Sequence, residues 1–328
     1  MNFISFPKIE LHLHLDCSLS YKVVQQINPA ITEKEYHESF TAPPKCTDLV
    51  DYLNRAVRGA ELMQTKEQLT LVTIDLLEQL KADNVLYAEI RFAPLLHLEK
   101  GLSAEEVVQT VNDALTKGMQ TTGVEARLIL CTLRHYTEEQ SMQTVKLVEA
   151  FRDKNVVGFD IAGDEAGFPV ANHVKAYRYA HEKNIHCTAH AGEACGPESV
   201  RETLGHFHPS RIGHGTRSAE DNSLLDYLRK ENIHLEVCPT SNIQTNVFAT
   251  IDHHAADKIY HAGVSMSINT DSRTVTPVTL THEYQVMETI FQWNKNHFLR
   301  CNLEAIAHAF IPNELKEALK AKILLAYE

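Results

Sequence analysis

The sequence predicts an α/β chain folded as a (β/α)8 TIM barrel, with a helical insertion after the first strand and extra C-terminal helices. Eight short apolar or alternating runs recur along its 328 residues, with helix-like segments between them. The first run is not followed by the glycine-rich phosphate loop that usually opens a doubly wound sheet. At 44% hydrophobic composition the chain can bury a large core, and it is read as one domain over residues 1–328.

The strand candidates are "KIELHLHL" (8–15), "LYAEIRFAP" (86–94), "EARLILCTLR" (125–134), "VVGFDIAG" (156–163), "IHCTAHAG" (185–192), "RIGHG" (211–215), "IHLEVCPTS" (233–241) and "VSMSINTD" (264–271). About seventy residues separate the first two. They include "VVQQI", "CTDLVDYLNRAV" and "KEQLTLVTIDLLEQLKADN", so several helices should lie over one barrel mouth, with segment 17–85 a candidate lid. Ser103 and Glu106 read as a capping box ahead of an apolar helix face, with Gly118 as its stop. Thr137 with Gln140, and Ser218 with Asp221, open further helices in the same manner, and Pro197 suits a first helical turn. After residue 276, "LTHEYQVMETI" and "NELKEALKAKILLAY" space their apolar residues as helices do.

A formal charge of −12 disfavours anionic partners such as nucleic acid or a membrane surface and points to a small-molecule substrate. No run approaches the roughly 20 apolar residues of a membrane span, and "MNFISFPKIE" lacks a basic-then-apolar leader. Seven scattered cysteines without a C-x-x-C pair suit a reducing, cytoplasmic setting.

In such barrels chemistry gathers where strands end. Alternation along the first strand puts His12 and His14 on one face. With His190 and Asp271 at two other strand ends they form a nitrogen-rich donor set suited to Zn²⁺ or a similar divalent ion. A histidine taken alone is ordinarily satisfied by a hydrogen bond in the core, but this clustering calls for a purpose. A single ion is expected because no lysine ends the fourth strand to bridge two. Zinc would acidify a bound water, and Glu193, three residues beyond His190, could hold a proton if desolvated. His214, between two glycines, could orient that water, accept its proton, or be a fourth imidazole ligand. The pairs His206/His208 and His253/His254 fall away from strand ends and are read as solvated or capping.

Six motifs in order, "PKIELHLHLD", "AGDE", "HAGE", "RIGHG", "EVCPTSN" and "INTD", resemble the adenosine deaminase family of metal-dependent hydrolases over nearly the whole chain. The resemblance implies zinc on His12, His14, His190 and Asp271, with His14 also facing the substrate. Glu193 would protonate the purine ring nitrogen beside C6 while His214 handles the water. Gly163 would offer its backbone N–H to another ring nitrogen, and Asp16 would bind a ribose hydroxyl. The implied reaction turns adenosine or 2′-deoxyadenosine into the inosine product and ammonia, in purine salvage. Adenine or another aminopurine would suit the same mechanism, and an inactive purine-binding barrel is the remote alternative.

Two departures matter. The family commonly shows "HLDG" and "TDDP", where this chain has "HLDC" (14–17) and "TDSR" (270–273). Ser272 can donate to a purine acceptor without first being protonated, though its reach is short. Arg273 either pairs with a neighbouring carboxylate or reads an anionic substrate.

Overall fold

The apolar runs pair in chain order. In the computed structural model, which describes residues 1–328, eight strands form one parallel sheet, each beside its sequence neighbour. They are β1 (Lys8–His14), β2 (Val85–Phe92), β3 (Glu125–Leu133), β4 (Val156–Ala162), β5 (His186–Ala191), β6 (Arg211–His214), β7 (His234–Val237) and β8 (Met266–Ile268). Each overlaps the run that predicted it. The strands are buried almost throughout because helices cover one face and the barrel interior the other.

Closure joins the two ends of the chain order. The Asn269 side-chain oxygen accepts from the Leu11 and His12 N–H groups. The Asp271 N–H then donates to His12 O at 3.0 Å, and the His14 N–H donates to Asp271 O at 2.8 Å. Three of the expected donor residues, His12, His14 and Asp271, are thereby locked together through backbone.

Between β1 and β2 lie α1 (Tyr21–Ile27), α2 (Glu33–Ser39), α3 (Leu49–Glu61) and α4 (Lys66–Ala82). α5 (Ala104–Thr122), α6 (Glu138–Phe151), α7 (Val174–Glu182), α8 (Pro197–Phe207) and α9 (Asn222–Lys230) follow β2 to β6 in turn. α10 (Pro239–Gln244) and α11 (Ala256–His261) precede β8, and α12 (Leu280–Phe291), α13 (Lys295–His308) and α14 (Asn313–Tyr327) close the chain. None of these helices is long and apolar enough to cross a membrane.

The capping boxes at Ser103/Glu106 and Thr137/Gln140 form as expected, and Pro197 opens α8. Two local expectations fail. α5 runs past Gly118 and stops at Gly123, which adopts φ +77°. A Cβ on Gly118 would stand 2.2 Å from Leu77 Cδ1, so this glycine serves the close approach of α4 to α5. Asp221, not Ser218, caps α9, accepting from the Ser223 and Leu224 N–H groups.

One contiguous apolar core of 75 buried residues surrounds the barrel. The barrel interior also carries charge. Arg91 pairs with Asp160 at 2.7 Å and Glu236 at 2.6 Å, and Arg211 with Glu89 at 2.6 Å and Glu236 at 2.7 Å, all fully buried. Buried carboxylates survive only when paired in this way.

Candidate active site

The C-terminal ends of β1, β5, β6 and the turn after β8 converge on one point. One donor atom each from His12, His190, His214 and Asp271 lies within 4.8 Å of the others. His14 joins through Nε2, 3.1 Å from His190 Nε2 and 3.6 Å from Asp271 Oδ1. The structure thus brings together all four expected metal ligands and His214. Gly213 makes room for them, since a Cβ there would stand 2.9 Å from the His12 ring and 3.3 Å from that of His190. His214 and Asp271 hold positive φ, +59° and +66°, a conformation side chains rarely adopt and one that clusters at functional sites.

Three of the four imidazoles are oriented from behind. Glu236 Oε2 lies 2.8 Å from His12 Nδ1, Asp160 Oδ1 lies 3.2 Å from His190 Nδ1, and the Asn242 amide lies 3.1 Å from His214 Nδ1. Arg91 binds both carboxylates, so one guanidinium ties the supports of two imidazoles together. Ser241 donates to Asp271 Oδ2 at 2.7 Å. None of these supports was singled out from the sequence. The charged ones left a signal, charge inside an otherwise apolar strand, as in "EIRF", "GFDIAG" and "HLEV".

The electrostatics suit a cation. Burial, chiefly, drives His14 and His214 well below the usual histidine range, and lowers His190 as well, so their ring nitrogens keep lone pairs. Burial opposes ionisation of Asp271, but the imidazoles facing it hold the carboxyl well below its usual range. His12 Nε2 is buried without a hydrogen-bond partner, 3.3 Å from Asp271 Oδ1. An orphaned nitrogen among imidazoles and a carboxylate fits a divalent metal.

Glu193 stands beside this cluster, its Oε2 3.6 Å from His214 Nε2. Burial first, then the nearby Asp271 and Glu165 carboxylates, push its pKa well above the ordinary carboxylate range. Its loop is held by Glu165, the last residue of "AGDE", which accepts from the N–H groups of Gly192, Glu193 and Cys195 and from Ser199 Oγ.

These groups open on a cavity of about 300 Å³ whose lining includes Asp16, Gly163 and Ser272. The insert helix α3 supplies one wall through Leu49, Tyr52, Leu53, Ala56 and Val57. Asp16 accepts from the Ala93 N–H, and burial raises its pKa to about 6. Gly163 sits at φ +99° just past β4. No lysine or arginine lines the cavity, whereas six acidic residues do. Arg273 is absent from it: its guanidinium is buried against Glu10 at 2.8 Å and Asp83 at 2.9 Å, which decides for carboxylate pairing over substrate reading.

Of the solvated or capping role expected of His254, the capping part holds, its Nδ1 accepting from the Ala256 N–H at the start of α11, and the solvated part does not. It is buried, with Nε2 3.2 Å from Asn242 Oδ1, and so reaches His214 through one amide. Its tertiary neighbours lie too far along the chain for local pattern to show this.

The family model described as "Adenosine deaminase" matches residues 7–325. An adenosine deaminase of Enterococcus faecalis is 37% identical over 329 residues, covering 98% of this chain and 97% of the relative. Among solved structures, Arabidopsis ADAL complexed with IMP superposes with TM-score 0.90 at 27% identity, covering 100% of this chain and 99% of that one. The adenine deaminase of Arthrobacter aurescens has the same fold, with TM-score 0.90 at 24% identity over 97% of this chain and 98% of that one. From residue 7 to residue 325, then, this chain belongs to the adenosine deaminase family, hydrolases that act on carbon–nitrogen bonds of cyclic amidines.

Proposed function

We propose that this enzyme hydrolyses adenosine and 2′-deoxyadenosine to inosine and deoxyinosine with release of ammonia, in purine salvage. The observation that carries the reading is Glu193 beside His214, a proton-holding carboxyl at the edge of an imidazole cluster that opens on a purine-sized cavity.

His12, His14, His190 and Asp271 would hold one zinc ion, and when bound it supplies a coordinated water whose pKa is lowered from 15.7 towards about 7. The chain's own residues do the rest. Glu193 gives its proton to the ring nitrogen beside C6, which draws electron density from that carbon and makes it electrophilic. His214, neutral because it is buried, accepts the proton that the attacking water releases. The new C6–O bond makes C6 tetrahedral, His214 passes its proton to the amino group, and the C6–N bond breaks to release ammonia as the C6 hydroxyl returns a proton to Glu193 and becomes the carbonyl. Gly163 offers its backbone N–H to a second ring nitrogen, Asp16 accepts from a ribose hydroxyl, and Ser272 faces the five-membered ring.

Charge favours a nucleoside over a nucleotide. A 5′-phosphate would enter a cavity lined by acidic residues and no fixed cation, and phosphate recognition ordinarily needs arginine, lysine or a helix N-terminus. Asp16 favours a nucleoside over free adenine, which has no hydroxyl to offer. Seven free cysteines, five of them buried, support a cytoplasmic setting.

The test is ultraviolet absorbance of adenosine, adenine and AMP with zinc-loaded and chelator-stripped protein. Fast conversion of adenosine that disappears with the metal supports the reading. Conversion of AMP or adenine in preference to adenosine would overturn the substrate, and no conversion of any aminopurine would overturn the reaction.

A further inference from the structure

The insert does more than roof the barrel. Tyr52, on α3, is buried and lines the cavity. Its hydroxyl lies 2.7 Å from Thr276 Oγ1 and 3.4 Å from both Ser272 Oγ and Asp271 Oδ2. Ser272 Oγ in turn accepts from the Thr276 N–H at 2.8 Å.

The distribution of hydrogens is informative. Asp271 Oδ2 already accepts the shorter bond from Ser241 Oγ, 2.7 Å, so the phenol contact at 3.4 Å is at the weak limit of a hydrogen bond. When the Thr276 hydroxyl donates to the phenol oxygen, Tyr52 and Ser272 each keep an O–H hydrogen with no acceptor nearer than 3.4 Å among these groups. In that arrangement two under-used donors sit side by side on a cavity wall. The serine is short, whereas the phenol brings its oxygen to the same place from the opposite element. Both donate while neutral, which a carboxylate cannot do.

We propose that Tyr52 is a substrate-positioning residue whose hydroxyl, paired with that of Ser272, donates to the acceptor nitrogen of the purine's five-membered ring. This deepens the aminopurine deaminase reading above and rests on it. The base is then oriented jointly by the barrel, through Ser272, and by the insert, through Tyr52.

The test compares adenosine with 7-deazaadenosine, in which C–H replaces that nitrogen, on zinc-loaded wild type, Tyr52→Phe and Ser272→Ala. Wild type should prefer adenosine in kcat/KM. Tyr52→Phe should lose about fivefold to tenfold on adenosine and little on the deaza analogue, so that the preference shrinks. A merely structural role would lower both substrates alike. Equal losses, or no loss on either, would overturn the proposal. Should Tyr52→Phe fail to fold, Ser272→Ala reads the same pair by the same ratio, and an unchanged ratio there overturns it. If wild type turned over neither nucleoside, the proposed reaction would fail by itself. Equilibrium binding of purine riboside and its 7-deaza counterpart would then decide the donor pair, with equal affinities in wild type counting against it.

Discussion

His214 Nε2 stands 3.6 Å from Glu193 Oε2, with both side chains buried at the edge of the imidazole cluster. Burial penalises both charged forms, raising the Glu193 pKa and lowering that of His214, which is the direction the proposed acid and base roles require. Glu193→Gln preserves shape and removes the proton. It should cut kcat by about 10²–10⁴ while bound metal stays stoichiometric. Steady-state kinetics with metal analysis of the same sample checks this, and near-normal turnover would remove Glu193 from the acid role.

Glu236 tests the supports behind the donors. It touches His12 Nδ1, Arg91, Arg211 and Thr188, and does not line the cavity. Glu236→Gln should weaken zinc affinity by about 10–100-fold, as loss of such a partner typically does. Competition with a chromogenic chelator measures it directly. Unchanged affinity would mean that His12 is oriented by the strand alone.

Arg273 tests a buried ion network away from catalysis. Arg273→Met leaves Glu10 and Asp83 without their arginine partner, and should cost about 3–5 kcal/mol of stability with KM unchanged in whatever fraction folds. Chemical denaturation and kinetics separate the two effects. A raised KM at full stability would return Arg273 to substrate recognition.

Glu283 predicts a pH dependence of stability. It is fully buried, one oxygen accepts from the Thr240 N–H, the other has no partner, and burial raises its pKa from 4.5 to about 8. Between those values the folded chain keeps a proton that the unfolded chain has released, so this residue lowers stability as pH rises and levels off above about pH 8. Glu283→Gln keeps an acceptor for Thr240 and cannot ionise. Its melting temperature relative to wild type should therefore climb between about pH 5 and pH 8, and a constant difference across that range would refute the shift.

Strand positions were legible because alternation and apolar runs are local, and the capping boxes at Ser103 and Thr137 were legible for the same reason. Gly118 misled because a glycine that ends a helix and one that admits a neighbouring helix look alike until Leu77 is brought against it. The clustering of His12, His14, His190 and Asp271 was legible, since each falls at or near the end of a recognisable strand.

What the sequence by itself determined was therefore the barrel, its helical insert and extra C-terminal helices, the family, and the residues at the strand ends. Only the tertiary structure decided which partners those residues meet. Arg273 was settled by carboxylates 263 and 190 positions away, Tyr52 was brought to Ser272 across 220 positions, and His254 reached His214 through Asn242. The physical reason is range. Periodicity and capping act within a few residues, while the pairing of a buried charge or hydroxyl depends on whichever distant group the closed barrel presses against it.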